Sequence, residues 1–440
     1  MLRFCSLLFF LCIMFPSAVI GQPDVFIDLS RETKPEVSIA ITGFTGLDPS
    51  TDKIGIGKKG RQILENDLRL SELFQPVNRT LFGGLESDRI GKPEVDYNSW
   101  SQLGVQWMVN TQYAISKKNQ LVTIIFRLYD IVNEQFLLGK RYRATAPNLR
   151  KIIHRFADEV VEALTGKKGI AGTRIAFLSG KRSGKEIYIV DFDGANAKKL
   201  TNENAVLLTP TWSPDGKSIT YTSYVDKNPN LVMLDIDGKR RKILVNSPGM
   251  NTAPDWSPDG QKIAVVLSRD KNSEIYVMDK RSNLVRLTNH FNIDTSPSWS
   301  PDGKKIVFTS DRSGIGAPQI YIMDSQRGDR AGVQRISYGS NYNDNPTWSP
   351  DGDKIAYNSR KNGILQIKIY DLNTRKEINF TSGRGNKEEP SWSPDGRFLA
   401  YMMKKGGRPE IFIKKIGSNK ARQLTFLPTG GASPSWSPFK

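Results

Sequence analysis

The pentapeptide Trp-Ser-Pro-Asp-Gly limits what this chain can fold into more than any other feature. It begins at Trp212, Trp256, Trp299, Trp348 and Trp392, and an altered copy begins at Trp436. Successive tryptophans lie 44, 43, 49, 44 and 44 residues apart. Self-similarity at this period indicates stacked structural repeats.

Each unit carries the same pattern. A short strand ends on the tryptophan, and Pro, Asp and Gly then supply turn chemistry. Apolar strands follow, as at 305–310 and 319–324, and a third begins near Arg335. Four short strands per unit of about 40–45 residues is the pattern of a β-propeller blade. Six sets of middle strands (187–191, 231–235, 275–279, 320–324, 367–371, 411–415) predict six blades. The longer 49-residue step is assigned to loops at 311–318 and 325–332. The first set, at 174–179, lacks a Trp-Ser-Pro strand before it, and the last Trp-Ser-Pro lacks strands after it. Residues 433–437 are therefore expected to complete the first blade, closing the ring and leaving no open edge.

The preceding sequence differs in kind. Residues 1–21 read as a cleaved secretory signal, with Arg3 before an apolar run at 7–15 that Pro16 interrupts. Cys5 and Cys12 both fall in this segment, so the mature chain would hold no cysteine and need no disulfide. Neither sits in a lipobox-like context. Residues 22–165 read as a small α/β domain with a mixed sheet. Strands are expected at 25–29, 37–44, 105–115, 121–130 and 135–143, and helices at 56–74, 97–103 and 149–164. Residues 166–172 form a linker, and 173–440 the propeller.

Chemistry is sparse. Formal charge is +18, which can signal nucleic acid or an anionic surface. Lys and Arg are nevertheless scattered, which favours a solvated basic surface. Gly55-x-Gly57-x-x-Gly60 spells a dinucleotide fingerprint, but polar loop precedes it where a strand is required. No Gly-x-Ser-x-Gly elbow exists. His154 and His290 are the only histidines, which supports neither a catalytic triad nor a histidine-rich metal site. Asp191-x-Asp193-Gly194 and Asp235-x-Asp237-Gly238 lack the remaining ligands of a calcium loop and read as hairpin turns. The repeated tryptophans could stack sugars, but their constant position favours packing between blades. No catalytic, cofactor or metal residue is expected.

In a propeller, connections from the outer strand of one blade to the inner strand of the next converge at one channel mouth. Here they are expected at 205–209, 249–253, 293–296, 343–345, 387–389 and 430–433. Phe291 and Tyr342 are the obvious aromatics among them.

The order of signal, small α/β domain and six Trp-Ser-Pro-Asp-Gly blades resembles the TolB family of the periplasmic Tol–Pal system. Asp67-Leu68-x-x-Ser71-x-x-Phe74, Trp100-Ser101-x-Leu103-Gly104 and Leu164-Thr165-Gly166-x-Lys168-Gly169 strengthen the resemblance. It implies a periplasmic, non-enzymatic scaffold, monomeric and without cofactor, serving outer-membrane integrity and cell division. It further implies that the propeller binds Pal, the peptidoglycan-associated lipoprotein. Met250, Asn251, Thr252, Ala253, Asp294, Thr295 and Ser296 fall at positions resembling the family's contact region. Met250 stands where that pattern has histidine. The mature N-terminal segment would engage TolA, with Val25, Phe26, Ile27, Asp28 and Leu29 adding a strand to a sheet edge. The same residues could instead be an edge strand of their own domain. The alternative reading is an exported propeller enzyme or a carbohydrate-binding lectin.

Overall fold

A computed structural model describes residues 37–48, 52, 55–82, 84, 85, 95–181, 184–314 and 316–439. The signal segment, both cysteines and Val25–Leu29 lie outside the described residues.

The first domain is built on a five-stranded mixed sheet. Its elements are β1 (Val37–Gly46), α1 (Ile56–Leu70), β2 (Phe74–Pro76), α2 (Tyr97–Gln102), β3 (Trp107–Ile115), β4 (Val122–Asp130), β5 (Gln135–Ala144) and α3 (Leu149–Thr165). Sheet order is β2-β1-β3-β4-β5, with β1 parallel to both neighbours. Apolar spacing in α1 and α3 puts Leu64, Leu68, Ile153, Phe156 and Val160 on one face of the sheet, where Phe126 stacks on Phe156 at 4.2 Å. Trp100 of α2 joins Ala40, Met108 and Tyr129 in a separate cluster. Gly166 ends α3 at φ 70°, a conformation that glycine adopts without a Cβ penalty. The expected helix over 56–74 is shorter, because Phe74 enters the sheet as β2.

The propeller has six four-stranded blades. Blade 1 pairs Ala432–Trp436 with Arg174–Lys181, so the last strand closes the ring as the register requires. The inner strands of blades 2 to 6 are Leu207–Trp212, Asn251–Trp256, Asp294–Trp299, Asn343–Trp348 and Lys387–Trp392. The repeated motif acts as a clasp. In blade 2, the Ser213 hydroxyl donates to Asp215 and accepts from the Ser218 amide at 3.0 Å, while Gly216 takes φ 66°. Blades 3, 4 and 6 repeat this arrangement at Ser257, Ser300 and Ser393. Five of the six motif tryptophans are buried at blade junctions, as expected, and Trp256 is half-buried. Trp299, for example, packs against Ala264, Ile275 and Val277 of blade 3 as well as Ile306 of its own blade. The long step between blades 4 and 5 is only partly loop, because Gly328–Arg335 is a strand.

A second recurring device fixes the connections between blades. Strand three of each of five blades carries a buried or half-buried Glu or Gln within its first three residues. A Thr or Ser hydroxyl just past the outer strand donates to it and accepts from the next backbone amide. Glu186–Thr201, Glu274–Thr288, Gln319–Ser337, Gln366–Thr381 and Glu410–Thr425 are the five pairs. Glu274 also accepts from the His290 amide, and Glu186 from the Glu203 and Asn204 amides. Buried carboxylates thus anchor connections whose outer residues stay in solvent.

Strand alternation sorts the two ends of the propeller. Trp-Ser-Pro-Asp-Gly turns and the turns between strands three and four share one end. The first domain docks there, through Arg397 to the Ser71 carbonyl, Lys415 to the Glu72 carbonyl, and Arg150 to Asp193. The connections between blades share the opposite end with the hairpins between strands two and three.

Candidate binding site at the channel mouth

Every inner strand contains Xaa-Pro two residues before its tryptophan, and the residue before proline has positive φ. Thr209, Ala253, Ser296, Asn345, Glu389 and Ser433 lie between 47° and 60°. At each, the pairing register slips, as between Thr252–Val266 and Asp255–Ala264. These are β-bulges, which place a residue that cannot donate to the ladder and tighten the strand around the axis. The six bulges and their prolines line a central cavity of about 180 Å³.

Apart from the six prolines, the channel lining is hydroxylic except at Asn345, Ala253 and two carboxylates, Asp255 and Glu389. Asp255 accepts from the Trp299 amide at 2.7 Å, and Glu389 from the Ser433 amide and hydroxyl. Both side chains tie neighbouring blades together. Burial pushes the Asp255 carboxyl up to about 7, against hydrogen bonds that pull it down. Burial likewise raises Glu389. Between the unfolded value of 3.8 and about 7, the folded state binds more protons at Asp255 than the unfolded chain does. The stability this group contributes is full below that window and is lost as pH rises through it. Asp255→Asn is therefore expected to flatten the fall in unfolding free energy between pH 5 and pH 8, by on the order of 1–3 kcal/mol. Urea titrations at the two pH values measure this; an unchanged pH slope in the variant contradicts it.

The structure corrects the expected placement of the mouth residues. Met250 is on the rim and 41% exposed. Asn251, Thr252 and Ala253 belong to the inner strand of blade 3, and Asp294, Thr295 and Ser296 to that of blade 4. The bulges absorb these residues into the inner strands, so pairing starts earlier than expected. Asn251 is fully buried and donates to the carbonyls of Pro229 and Ser247. Asp294 is fully buried, bonded at 2.5 Å to Arg312, and pushed up by burial to about 6. These two side chains hold the rim through bonds within their own blades and neighbouring connections. Charge reversal at Asp294 would disrupt the blade rather than report on a surface.

What the rim does present is apolar. Nine large hydrophobic residues of the described propeller are more than 36% exposed, and six of them are Val225, Met250, Phe291, Ile293, Tyr338 and Phe426. All six lie in connections at the mouth end; Ile243, Val285 and Ile378 are on outer strands. Phe291 is 88% exposed and stacks on His290 at 4.4 Å. Tyr342 instead packs under Arg360, 3.8 Å from the ring centre, and donates to Asp344. Sequence reading singled out Phe291 but missed Tyr338 and Phe426, which stand just past outer strands whose length periodicity does not fix. Exposed Lys227, Lys271, Lys361, Arg384 and Lys405 surround this face. Exposed apolar residues rimmed by polar groups mark protein-interaction surfaces.

The other sequence motifs do not form the sites they spell. The amides of Ile56 and Gly57 at the start of α1 are taken by Asp52 at 2.7 and 3.1 Å, so the chain's own carboxylate sits where a pyrophosphate would. Asp191–Gly194 and Asp235–Gly238 are tight turns, closed by the glycine amides at 2.8 Å. No helix among the described residues is long and apolar enough to cross a membrane.

A small α/β domain seated on one end of a six-bladed propeller, with an apolar rim at the other, defines a two-domain β-propeller protein. The family model for the TolB amino-terminal domain matches residues 25–137, and that for the TolB beta propeller domain matches 161–440. The chain belongs to the TolB family. It is similar to the Tol–Pal system protein TolB of Desulfosudis oleivorans, 33% identical over 223 residues. Against that of Geobacter sulfurreducens it is 36% identical over 219 residues. The match spans about half of this chain and half the length of each of these relatives. The crystal structure of TolB from Acinetobacter baumannii superposes with a TM-score of 0.77 at 29% identity, covering 92% of this chain and 98% of that one.

Proposed function

We propose that this protein is a periplasmic, non-enzymatic scaffold of the Tol–Pal system, working in outer-membrane integrity and cell division. Its propeller rim binds the peptidoglycan-associated lipoprotein Pal, and its N-terminal segment, Val25–Leu29, binds TolA. The observation that carries the Pal assignment is the concentration of exposed apolar side chains at one mouth of the channel, held by buried carboxylate clasps. A surface fixed in this way loses little conformational freedom on binding, so its apolar burial goes into affinity. Met250, Ala253, Thr295 and Ser296 lie at or just inside that rim, where a partner loop entering the channel would meet them. The cations around the mouth favour an acidic partner and a salt-dependent association rate.

The test is titration of the soluble domain of Pal into residues 22–440. Phe291→Ala combined with Tyr338→Ala is expected to weaken binding by about 30-fold or more, since buried aromatic anchors dominate interfaces. Both residues are too exposed for their loss to unfold the blade. Unchanged affinity would remove Pal from this face. Binding of oligosaccharides in place of Pal, lost in the same variant, would instead establish the lectin reading.

A further inference from the structure

We propose that Asp67, His154 and Asp193 form a binding site for a borderline divalent cation of the Zn2+ type, at the junction of the two domains. Asp67 comes from α1, His154 from α3, and Asp193 from the turn between strands three and four of blade 1. One donor atom from each lies within 4.8 Å of the others. Asp67 is 2% exposed and His154 5%.

The pair is half-used. His154 Nδ1 and Asp67 Oδ2 are 2.7 Å apart, yet His154 Nε2 and Asp67 Oδ1 are buried without any hydrogen-bond partner. Leaving two such atoms buried and unpaired is costly; a cation that replaces the proton shared by Nδ1 and Oδ2 also gives Asp67 Oδ1 a partner.

The donor set selects the ion. One imidazole nitrogen and two carboxylates, completed by water, suit Zn2+ or its neighbours; Ca2+ and Mg2+ favour all-oxygen sites. Bonds of about 2.0–2.2 Å require donors closer than 4.8 Å, so the three side chains must draw together. Arg150 now holds the Asp193 carboxylate, and its Nε is unpartnered. Its side chain is 28% exposed with Asp191 at 3.9 Å, which gives it somewhere to go when a cation takes its place. Because the ligands come from both domains, occupancy would fasten the α/β domain to the propeller. Sequence reading missed the cluster because its members are 39 or more residues apart and only one is histidine.

The test uses residues 22–440 stripped by chelator and titrated with Co2+, whose visible absorption reports coordination. The expected result is a saturable absorption that Zn2+ abolishes, and a rise in Tm with Zn2+. Asp193→Asn should weaken the apparent affinity at least tenfold, a loss of the size seen on disturbing metal sites. Arg150→Gln should tighten it. His290→Gln, at the only other histidine, should change nothing. Among the described residues, Asp193 bonds its own turn and Arg150 and no core side chain, and Asn keeps its shape, so this variant remains readable where a His154 variant fails to fold. No absorption and no Tm shift, an equal response in Asp193→Asn, or loss of the response in His290→Gln would overturn the proposal.

Discussion

Trp436→Ala is expected to lower the unfolding free energy by about 3–5 kcal/mol, the range for deleting a buried large aromatic from a core. Trp436 is 6% exposed and packs with Phe398 of blade 6 and Phe192 of blade 1. Its indole donates to Thr173 at 3.0 Å, and the Ser437 amide donates to the Arg174 carbonyl at 2.8 Å. The residue therefore holds the one seam where the two ends of the propeller chain meet. Other tryptophans join blades that the chain already connects, whereas this seam spans more than 250 residues of intervening sequence. Losing it should also leave the first and last blades open to exchange. Urea denaturation with fluorescence gives the free energy, and amide exchange in Arg174–Lys181 gives the local effect. Trp436→Phe should retain part of the stability. A loss under about 1 kcal/mol would mean that this strand does not carry closure.

Deletion of residues 22–30 is expected to abolish TolA binding, by at least about 100-fold, and to leave the propeller folded and Pal affinity intact. The physical basis is strand addition. An extended apolar segment offers its backbone amides and carbonyls to a partner's sheet edge, and alternate side chains give specificity. Removing it removes the whole set of bonds at once, and point substitutions would remove only single side chains. Among the described residues, the propeller clusters draw on none before Ile170 except Leu70 at the margin, and the ring is closed by its own last strand. Surface plasmon resonance with immobilised TolA measures the effect. Retained TolA binding would place that site elsewhere on the chain.

Much of this architecture was legible because repetition averages out local ambiguity. One Trp-Ser-Pro-Asp-Gly is a turn; five at near-constant spacing are a ring. In the first domain, the helix at Leu149–Thr165 was readable from its apolar period alone. What was not legible depended on long-range geometry. The residue before each inner-strand proline takes a positive φ that nothing in Thr209, Ser296 or Asn345 announces, and the resulting bulges moved six of seven expected contact residues out of the loops. The clasp from Glu274 to Thr288 was also hidden, since a lone Glu at the head of a strand reads as surface until its partner is seen. Phe291 stood out because a loop phenylalanine is conspicuous. Tyr338 did not, because its exposure follows from where the outer strand of blade 4 ends.

The two ends of the propeller divide the work. Main-chain and arginine contacts fasten the α/β domain to one end, leaving the opposite mouth clear. Any coupling between binding at the mouth and binding at the N-terminal segment must be reciprocal.

The most direct measurement of the central claim is hydrogen exchange of residues 22–440 with and without the soluble domain of Pal, read peptide by peptide. Protection is expected at 246–250, 287–293, 336–342 and 424–431, the connections that carry the exposed rim. Protection confined to the α/β domain, or to the Trp-Ser-Pro-Asp-Gly turns at the other end, would contradict it.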